Sequence, residues 1–291
     1  FRRTMTNLTQ RNILHLRWLI RTAEARSRSR DCTLRSLPRL AISRLRLTRA
    51  IRGQAAVSHG FATGLRTEST MLAEWLTILF SFRRLTAQES ALLGICGGGG
   101  YTLAASQTDK RIRAVATLSM FNSGRVRRNG FGDKQIATVQ ERLLRASNAR
   151  NEELKGNVLY EGFLPPHKDD AELRKIMESQ PEGLYKDGID YYGLSYRHPR
   201  ATGSYTTESF IKLMAFDVED RMNLINQPLL MIAGSAADTL YMSEDAFKKA
   251  TGTADKELYL IDGASHIKTY WKPEYVAEAT NKLSEFFGKR L

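Results

Sequence analysis

Short apolar runs in the last two thirds of the chain have the pattern of buried parallel strands. Ala91–Ile95 reads ALLGI, residues 112–119 read IRAVATLS, and Leu229–Gly234 reads LLMIAG. Continuous apolar runs of this length are typical of strands that are covered on both faces. A further strand is predicted at 257–261, which reads ELYLI.

Segments with helical character follow or separate these runs. Residues 101–105 and 243–250 are compatible with helices, and Pro273 opens a last helix that ends at Gly288. Apolar residues recur at helical spacing in that last segment: Tyr275, Val276, Ala279, Leu283, Phe286 and Phe287. Strands that alternate with helices predict an α/β fold, with a parallel sheet and helices on both of its faces.

The long segment between the strands at 112–119 and 229–233 has a different character. Helices are predicted there at 134–153, 170–179 and 206–214, and tyrosines cluster at Tyr191, Tyr192 and Tyr196. A helical insertion in such a sheet usually covers the carboxyl ends of the strands, where ligands bind. We therefore expect a helical cap at about 120–225, with Tyr191, Tyr192 and Met214 as candidates to contact a substrate.

Composition divides the chain near residue 90. Residues 1–90 hold 17 arginines, no lysine and five acidic residues, a balance of +12, whereas residues 91–291 hold 27 basic and 26 acidic residues. The later part also holds 18 of the 21 glycines and six of the seven prolines. Because a folded domain needs turn residues to end its elements, the N-terminal third is atypical of a folded domain.

Three interpretations of residues 1–90 compete. A mitochondrial transit peptide is rich in arginine and serine and poor in acids, which suits residues 1–52. A nucleic-acid-binding arm is also basic, but here arginine alternates with leucine, and residues 20–60 lack the aromatic side chains on which bases stack. The third interpretation is translation in a wrong frame or through an intron. We favour the third, and so expect a cytoplasmic protein with no nucleic-acid partner.

Other classes of protein are excluded by simple counts. Two cysteines, Cys32 and Cys96, cannot form a disulfide scaffold. No stretch approaches the roughly 18 consecutive apolar residues that a membrane-spanning helix requires. We therefore expect no membrane partner.

A candidate nucleophile follows the first predicted strand. Gly94 to Gly98 read G-I-C-G-G, which fits the pattern glycine-x-nucleophile-x-glycine of a sharp strand-to-helix turn. A lone cysteine at a strand end is more often a buried structural residue. The strands that follow in the chain favour Cys96 as a nucleophile instead.

Candidate acid and base residues follow the next two predicted strands. Asp238 comes after the strand Leu229–Gly234, and His266 comes after the strand at 257–261. The chain order nucleophile, acid, base is that of the α/β-hydrolase fold. Asp262 is a rival acid, but it precedes His266 by only four residues on the same connection, so we favour Asp238.

The developing negative charge of an acyl-transfer reaction needs hydrogen-bond donors. The backbone N–H of Gly97, at the start of the helix that follows Cys96, is the candidate for one oxyanion-hole donor. His59–Gly60 resembles the histidine–glycine of an oxyanion loop, but it lies only 37 residues before Cys96. We do not favour His59, because that loop belongs several strands earlier.

Four segments of the chain resemble α/β hydrolases related to dienelactone hydrolase, including fungal enzymes described as polyketide transferases. They are GICGGGGYTLAA at 94–105, AVATLSMFNSGRVRRNGF at 114–131, FDVEDRMNLINQPLLMIAGSAADTLYMSEDAF at 216–247 and KELYLIDGASHIKTYWKPEYV at 256–276. The resemblance covers residues 91–291. It implies a catalytic triad of Cys96, Asp238 and His266.

The N-terminal third departs from this resemblance. Members of the family carry a His-Pro-Gly-Gly oxyanion loop and a Gly-Glu-Ser-Gly-Gly segment before the nucleophile, and residues 1–90 contain neither. The missing loop would supply the second oxyanion donor.

The sequence thus predicts a hydrolase or acyltransferase that acts on small-molecule esters, lactones or thioesters, with no cofactor and no metal ion. The alternative is a catalytically impaired protein or pseudo-hydrolase with a defective N-terminal region.

Overall fold

The computed structural model of the chain describes residues 91–162, 164–165, 167–197 and 204–290. The interpretations of residues 1–90, including those of Cys32 and His59, lie outside the described residues.

The described residues form six strands and eight α-helices. The strands are β1 (Ala91–Ile95), β2 (Ala114–Leu118), β3 (Tyr160–Gly162), β4 (Ser204–Thr206), β5 (Leu229–Gly234) and β6 (Lys256–Ile261). The α-helices are α1 (Gly97–Thr108), α2 (Ser123–Asn129), α3 (Val139–Leu154), α4 (Asp170–Ser179), α5 (Leu184–Gly188), α6 (Phe210–Ala215), α7 (Leu240–Lys249) and α8 (Pro273–Gly288). Short 3₁₀ segments and one π-helix, Ile189–Ser195, complete the described part.

Four strands form the parallel sheet that the apolar runs predict. Their order is β1-β2-β5-β6, and every neighbouring pair is parallel. Every residue of β1, β2 and β5 is buried. Such strands need cover on both faces, which is why their sequences are continuously apolar.

Two apolar clusters supply that cover, one on each face of the sheet. Successive strand side chains point to opposite faces, so Leu93 packs in one cluster and Leu92 in the other. The first cluster contains residues of α8, and the second contains residues of α1 and α7. The prediction of helices on both faces is confirmed for the described part of the chain.

The carboxyl ends of the parallel strands bring three loops to one edge of the sheet. Cys96 follows β1, Ser235 follows β5, and Asp262 follows β6. Gly234, the last residue of β5, pairs with Ile261, the last residue of β6. The loops that carry Asp238 and His266 therefore start side by side.

The segment between β2 and β5 contains α2 to α6 and the π-helix. The helices predicted at 134–153, 170–179 and 206–214 correspond to α3, α4 and α6. Strands β3 and β4 pair in a separate two-stranded antiparallel ribbon, which the sequence did not predict. None of the helices in the described parts of the chain is long and apolar enough to cross a membrane.

Charged side chains tie the start and the end of this insertion together. Arg125 of α2 donates hydrogen bonds to Asp133, Glu219 and Asp245. Its side chain is only 15% exposed, and that of Glu219 only 5%. Lys249 of α7 also pairs with Glu219. Because Arg125 and Glu219 are largely removed from water, their pairing matters more than that of exposed ion pairs.

Candidate active site

Cys96 lies on a sharp turn between β1 and α1. Its backbone has a φ of 55° and a ψ of −130°, a conformation that a non-glycine residue rarely adopts. The turn is held by hydrogen bonds from Cys96 N–H to the Leu118 carbonyl, 3.0 Å, and from Gly99 N–H to the Cys96 carbonyl, 2.8 Å. This is the geometry of the strand-to-helix turn that the glycine pattern predicts.

Glycine is needed two residues before Cys96 because of close packing. A Cβ atom on Gly94 would lie 2.4 Å from the Gly98 carbonyl oxygen and 2.6 Å from the Gly99 Cα. The chain can therefore turn directly into α1, whose first residue is the buried Gly97. The Gly97 N–H lies in the first turn of this helix, where backbone N–H groups have no intrahelical acceptor.

His266 is held by a loop that is fixed on both sides. The Ala236 N–H bonds to the Ala264 carbonyl at 3.1 Å, and a Cβ atom on Gly234 would lie only 2.0 Å from that carbonyl oxygen. After the loop, Thr269 Oγ1 donates to the His266 carbonyl at 2.7 Å. Backbone contacts before His266 and the Thr269 side chain after it thus position His266.

The imidazole of His266 is fully buried, with 0% exposure. Its Nδ1 is hydrogen-bonded to Thr239 Oγ1 at 2.6 Å. Its Nε2 is buried and has no hydrogen-bond partner among the described residues. Burial disfavours the charged form and lowers the pKa of His266 to about 3, so the ring is neutral at neutral pH.

Two aromatic residues, Phe121 and Tyr270, connect His266 to Cys96. The Phe121 ring lies edge-on to the His266 ring, with centroids 6.1 Å apart, and the Phe121 N–H donates to the Cys96 carbonyl at 3.0 Å. The Tyr270 ring lies 5.6 Å from the His266 ring and is only 1% exposed. Burial raises the pKa of Tyr270 well above 10, and interaction with Cys96 raises it further. Cys96, His266 and Tyr270 therefore belong to one group of side chains.

Asp238 lies in the loop between β5 and α7, one residue before Thr239. Its Oδ2 accepts a hydrogen bond from the Leu184 N–H of α5 at 2.9 Å. Although the residue is exposed, partial desolvation of the carboxylate raises its pKa, and the nearby Asp187 carboxylate raises it further. Among the described residues, His266 Nδ1 is bonded to Thr239 rather than to Asp238.

The candidate substrate residues of the insertion fall into two places. Tyr191 and Tyr192 lie in the π-helix and pack in the same apolar cluster as Tyr270 and Cys96. The Tyr191 and Tyr270 rings are 6.1 Å apart. Met214 packs instead with Ala146 and Phe210 in a separate cluster, so it is not brought to this group.

Sequence reasoning missed Thr239 and Tyr270. Thr239 had only its position beside Asp238 as a signal, and Tyr270 only its position four residues after His266. Neither residue type is diagnostic of a catalytic role by itself. Side chains of His, Cys, Asp and Glu form no group of three that could hold a metal ion within the described ranges.

Known proteins resemble this chain in sequence, although no protein-family model matches it. The uncharacterized protein YcjY of Escherichia coli K12 is 31% identical over 205 residues, which are 68% of this chain and 63% of that protein. The uncharacterized protein PA2218 of Pseudomonas aeruginosa is 30% identical over 206 residues, which are 69% of this chain and 52% of that protein. The chain thus spans less than two thirds of the length of either relative.

Solved structures resemble the fold. The crystal structure of PA2218 matches with a TM-score of 0.62 at 24% identity, covering 77% of this chain and 67% of that one. The α/β hydrolase GrgF from Penicillium sp. sh18 matches with a TM-score of 0.56 at 18% identity, covering 76% of this chain and 71% of that one. Both have the sheet and helix arrangement described above, and the described part of this chain has the α/β-hydrolase fold.

Proposed function

We propose that this protein cleaves or transfers the acyl groups of small esters, lactones or thioesters through a nucleophilic Cys96. The observation that supports this most directly is the strained backbone at Cys96, at the start of α1. Cys96 packs in one cluster with Tyr270, whose ring also contacts the His266 ring. Strained conformations persist where the surrounding structure enforces them, and they cluster at functional sites.

In the proposed reaction His266 is the general base and then the general acid. Nε2 takes the thiol proton while the Cys96 sulfur attacks the substrate carbonyl carbon and forms a tetrahedral intermediate. The intermediate collapses and breaks the bond to the alcohol or thiol, which leaves with the proton from Nε2. A water molecule, or another alcohol or thiol, then attacks the acyl-enzyme with the same help and restores free Cys96.

Electrostatic stabilisation comes from both sides of the proposed site. The Gly97 N–H, at the positive end of α1, would donate to the developing oxyanion. Asp238, as the proposed acid, would stabilise the imidazolium that forms when His266 accepts a proton. Because burial lowers the pKa of His266 to about 3, that positive charge needs such compensation during turnover.

The insertion is proposed to act as a cap that selects the substrate. Its helix α5 contacts both catalytic loops: the Leu184 N–H bonds to Asp238, and the Asp187 carboxylate accepts from Ser265 Oγ at 2.5 Å. The π-helix follows directly and packs Tyr191 and Tyr192 beside Tyr270. Aromatic side chains there favour an apolar or aromatic acyl group, as would suit a relative of dienelactone hydrolase or of polyketide transferases.

Turnover of p-nitrophenyl acetate and butyrate tests the proposal. Cys96→Ala and His266→Gln are expected to lower kcat/KM on the order of 10³-fold or more, because the two side chains act as a unit. Cys32→Ala is the matched control and should keep the wild-type rate.

Equal turnover by wild type and Cys96→Ala would contradict the nucleophile. A wild-type protein that folds but turns over neither ester, nor the corresponding thioesters, would favour the impaired hydrolase.

A further inference from the structure

We propose that Thr239 is the positioning residue that fixes the tautomer of His266, while Asp238 acts on it only through its charge. This inference rests on the proposed function, since it assigns how the proposed base is prepared. It concerns the residue next to the predicted acid, which the sequence pattern did not single out.

The first observation is the hydrogen bond itself. Thr239 Oγ1 lies 2.6 Å from His266 Nδ1, and the two residues are 2% and 0% exposed. Water therefore does not compete for this bond, and a hydrogen bond in such surroundings is stronger than one at the surface. The contact holds the imidazole in one orientation.

The second step concerns which ring nitrogen carries the proton. A hydroxyl can donate or accept, so the Thr239 contact alone leaves both tautomers open. Nε2 is buried without a hydrogen-bond partner among the described residues. The proposed base needs a lone pair on Nε2, which requires that the ring proton lies on Nδ1. In this tautomer Thr239 Oγ1 accepts the Nδ1 proton, and Nε2 keeps the lone pair.

The third observation is that the Asp238 carboxylate is hydrogen-bonded to the insertion and not to His266. Its Oδ2 accepts from the Leu184 N–H, and a Cβ atom on Gly183 would lie 2.3 Å from that same oxygen. The carboxylate is thus packed against the start of α5 in the insertion. A hydroxyl on Nδ1 can fix a tautomer but brings no negative charge, so the two neighbours divide the roles that one carboxylate fills in the usual triad.

Nitrogen-15 NMR of the histidine rings separates these roles. The chain has five histidines, and the signals that disappear in His266→Gln identify those of His266. We expect wild type at neutral pH to show one tautomer with the proton on Nδ1. Thr239→Val, which replaces the hydroxyl by a methyl group, should give the other tautomer or a mixture and lower kcat by roughly tenfold or more with little change in KM.

Two further variants make the test decisive. Thr239→Ser keeps a hydroxyl, and should restore both the wild-type tautomer and most of kcat. Asp238→Asn should keep the proton on Nδ1 even though the loss of charge lowers kcat. The proposal is overturned if Thr239→Val keeps the wild-type tautomer, or if Asp238→Asn changes it.

The NMR readout needs no turnover, so it separates this inference from the proposed function. If Cys96→Ala hydrolyses esters as fast as wild type, the nucleophile is wrong, but the tautomer still reports whether Thr239 positions His266. If Thr239→Val does not fold, Thr239→Ala removes the same hydroxyl without adding a methyl group at the contact. A changed tautomer of His266 in Thr239→Ala then supports the proposal, and the wild-type tautomer overturns it.

Discussion

The central sheet and the insertion between β2 and β5 are built in different ways. Every residue of β1, β2 and β5 is buried, whereas the 16-residue helix α3 buries only Ala146 and Ala149 and helix α4 buries only Leu173. The sheet is therefore held by continuous apolar packing. The insertion depends on a few side chains, such as Arg125 at its base and the tyrosines of the π-helix.

This difference assigns different tasks to the two regions. The sheet fixes Cys96, the Thr239 loop and the His266 loop through backbone contacts that leave no room to shift, as at Gly234. The insertion contacts the same loops through α5, whose Leu184 N–H donates to Asp238 and whose Asp187 carboxylate accepts from Ser265 Oγ. Regions with few buried apolar contacts open locally at lower free energy than the global fold, and the proposed cap would have to open in this way to admit substrate.

The largest expected effect comes from a change at the edge of the sheet. Gly234→Ala would place its Cβ 2.0 Å from the Ala264 carbonyl oxygen, and that oxygen belongs to backbone that cannot move aside. We expect a loss of about 4 kcal/mol or more in the free energy of unfolding, or no native fold.

Gly288→Ala is the control, since its Cβ would meet nothing within 4 Å at the end of α8. Its stability should stay within about 1 kcal/mol of wild type. Urea unfolding of both variants checks the prediction, and a Gly234→Ala protein as stable as Gly288→Ala would contradict the account of the loops.

A pH-dependent effect of comparable size is expected from His266. Its pKa is lowered from 6.5 to about 3 in the folded protein. As the pH falls, His266 therefore takes up a proton in the unfolded chain before it does so in the folded protein. The stability that the neutral imidazole contributes is fully present above pH 6.5 and is lost as the pH falls from 6.5 toward 3. The full loss is on the order of 5 kcal/mol for a shift of this size.

Urea unfolding at several pH values in this window measures the slope. His266→Gln should remove this contribution, whereas His167→Gln should leave it, because His167 is exposed in the insertion. An unchanged slope in His266→Gln would show that the imidazole is not buried in its neutral form.

The smallest effect tests the comparison of the two regions itself. Backbone amides of β2 and β5 are expected to exchange with solvent at least about tenfold more slowly than those of α3, a difference of roughly 1.4 kcal/mol in opening free energy. Native-state hydrogen exchange measures both in one experiment. Equal protection in α3 and in the sheet would mean that the insertion opens only with the global fold.

The sequence predicted the parts of the molecule that depend on local pattern. The four strands of the sheet, the turn at Cys96 and helix α8 were readable because continuous apolar runs, glycines at fixed spacing and Pro273 each act within a few residues. Asp238 and His266 were placed in adjacent loops for the same reason, since parallel strands end at one edge.

The parts that depend on contacts between distant segments were not predictable. Thr239 meets His266 only after β5 and β6 pair, and Tyr270 meets Cys96 only after the sheet has formed. The π-helix differs from an ordinary helix in its hydrogen bonds, such as that from the Tyr196 N–H to the Tyr191 carbonyl, and not in composition. Met214 is a candidate because it lies in the predicted cap, and the fold packs it among other residues of the insertion.

The most direct test of the central claim is the mass of the acyl-enzyme. Wild type mixed briefly with a p-nitrophenyl ester, quenched in acid and digested should show one acyl group on the peptide that contains Cys96. His266→Gln should accumulate that adduct far more slowly, and Cys96→Ala should not carry it at all. An acyl group found on another residue, or turnover without any adduct on Cys96 in wild type, would contradict the account.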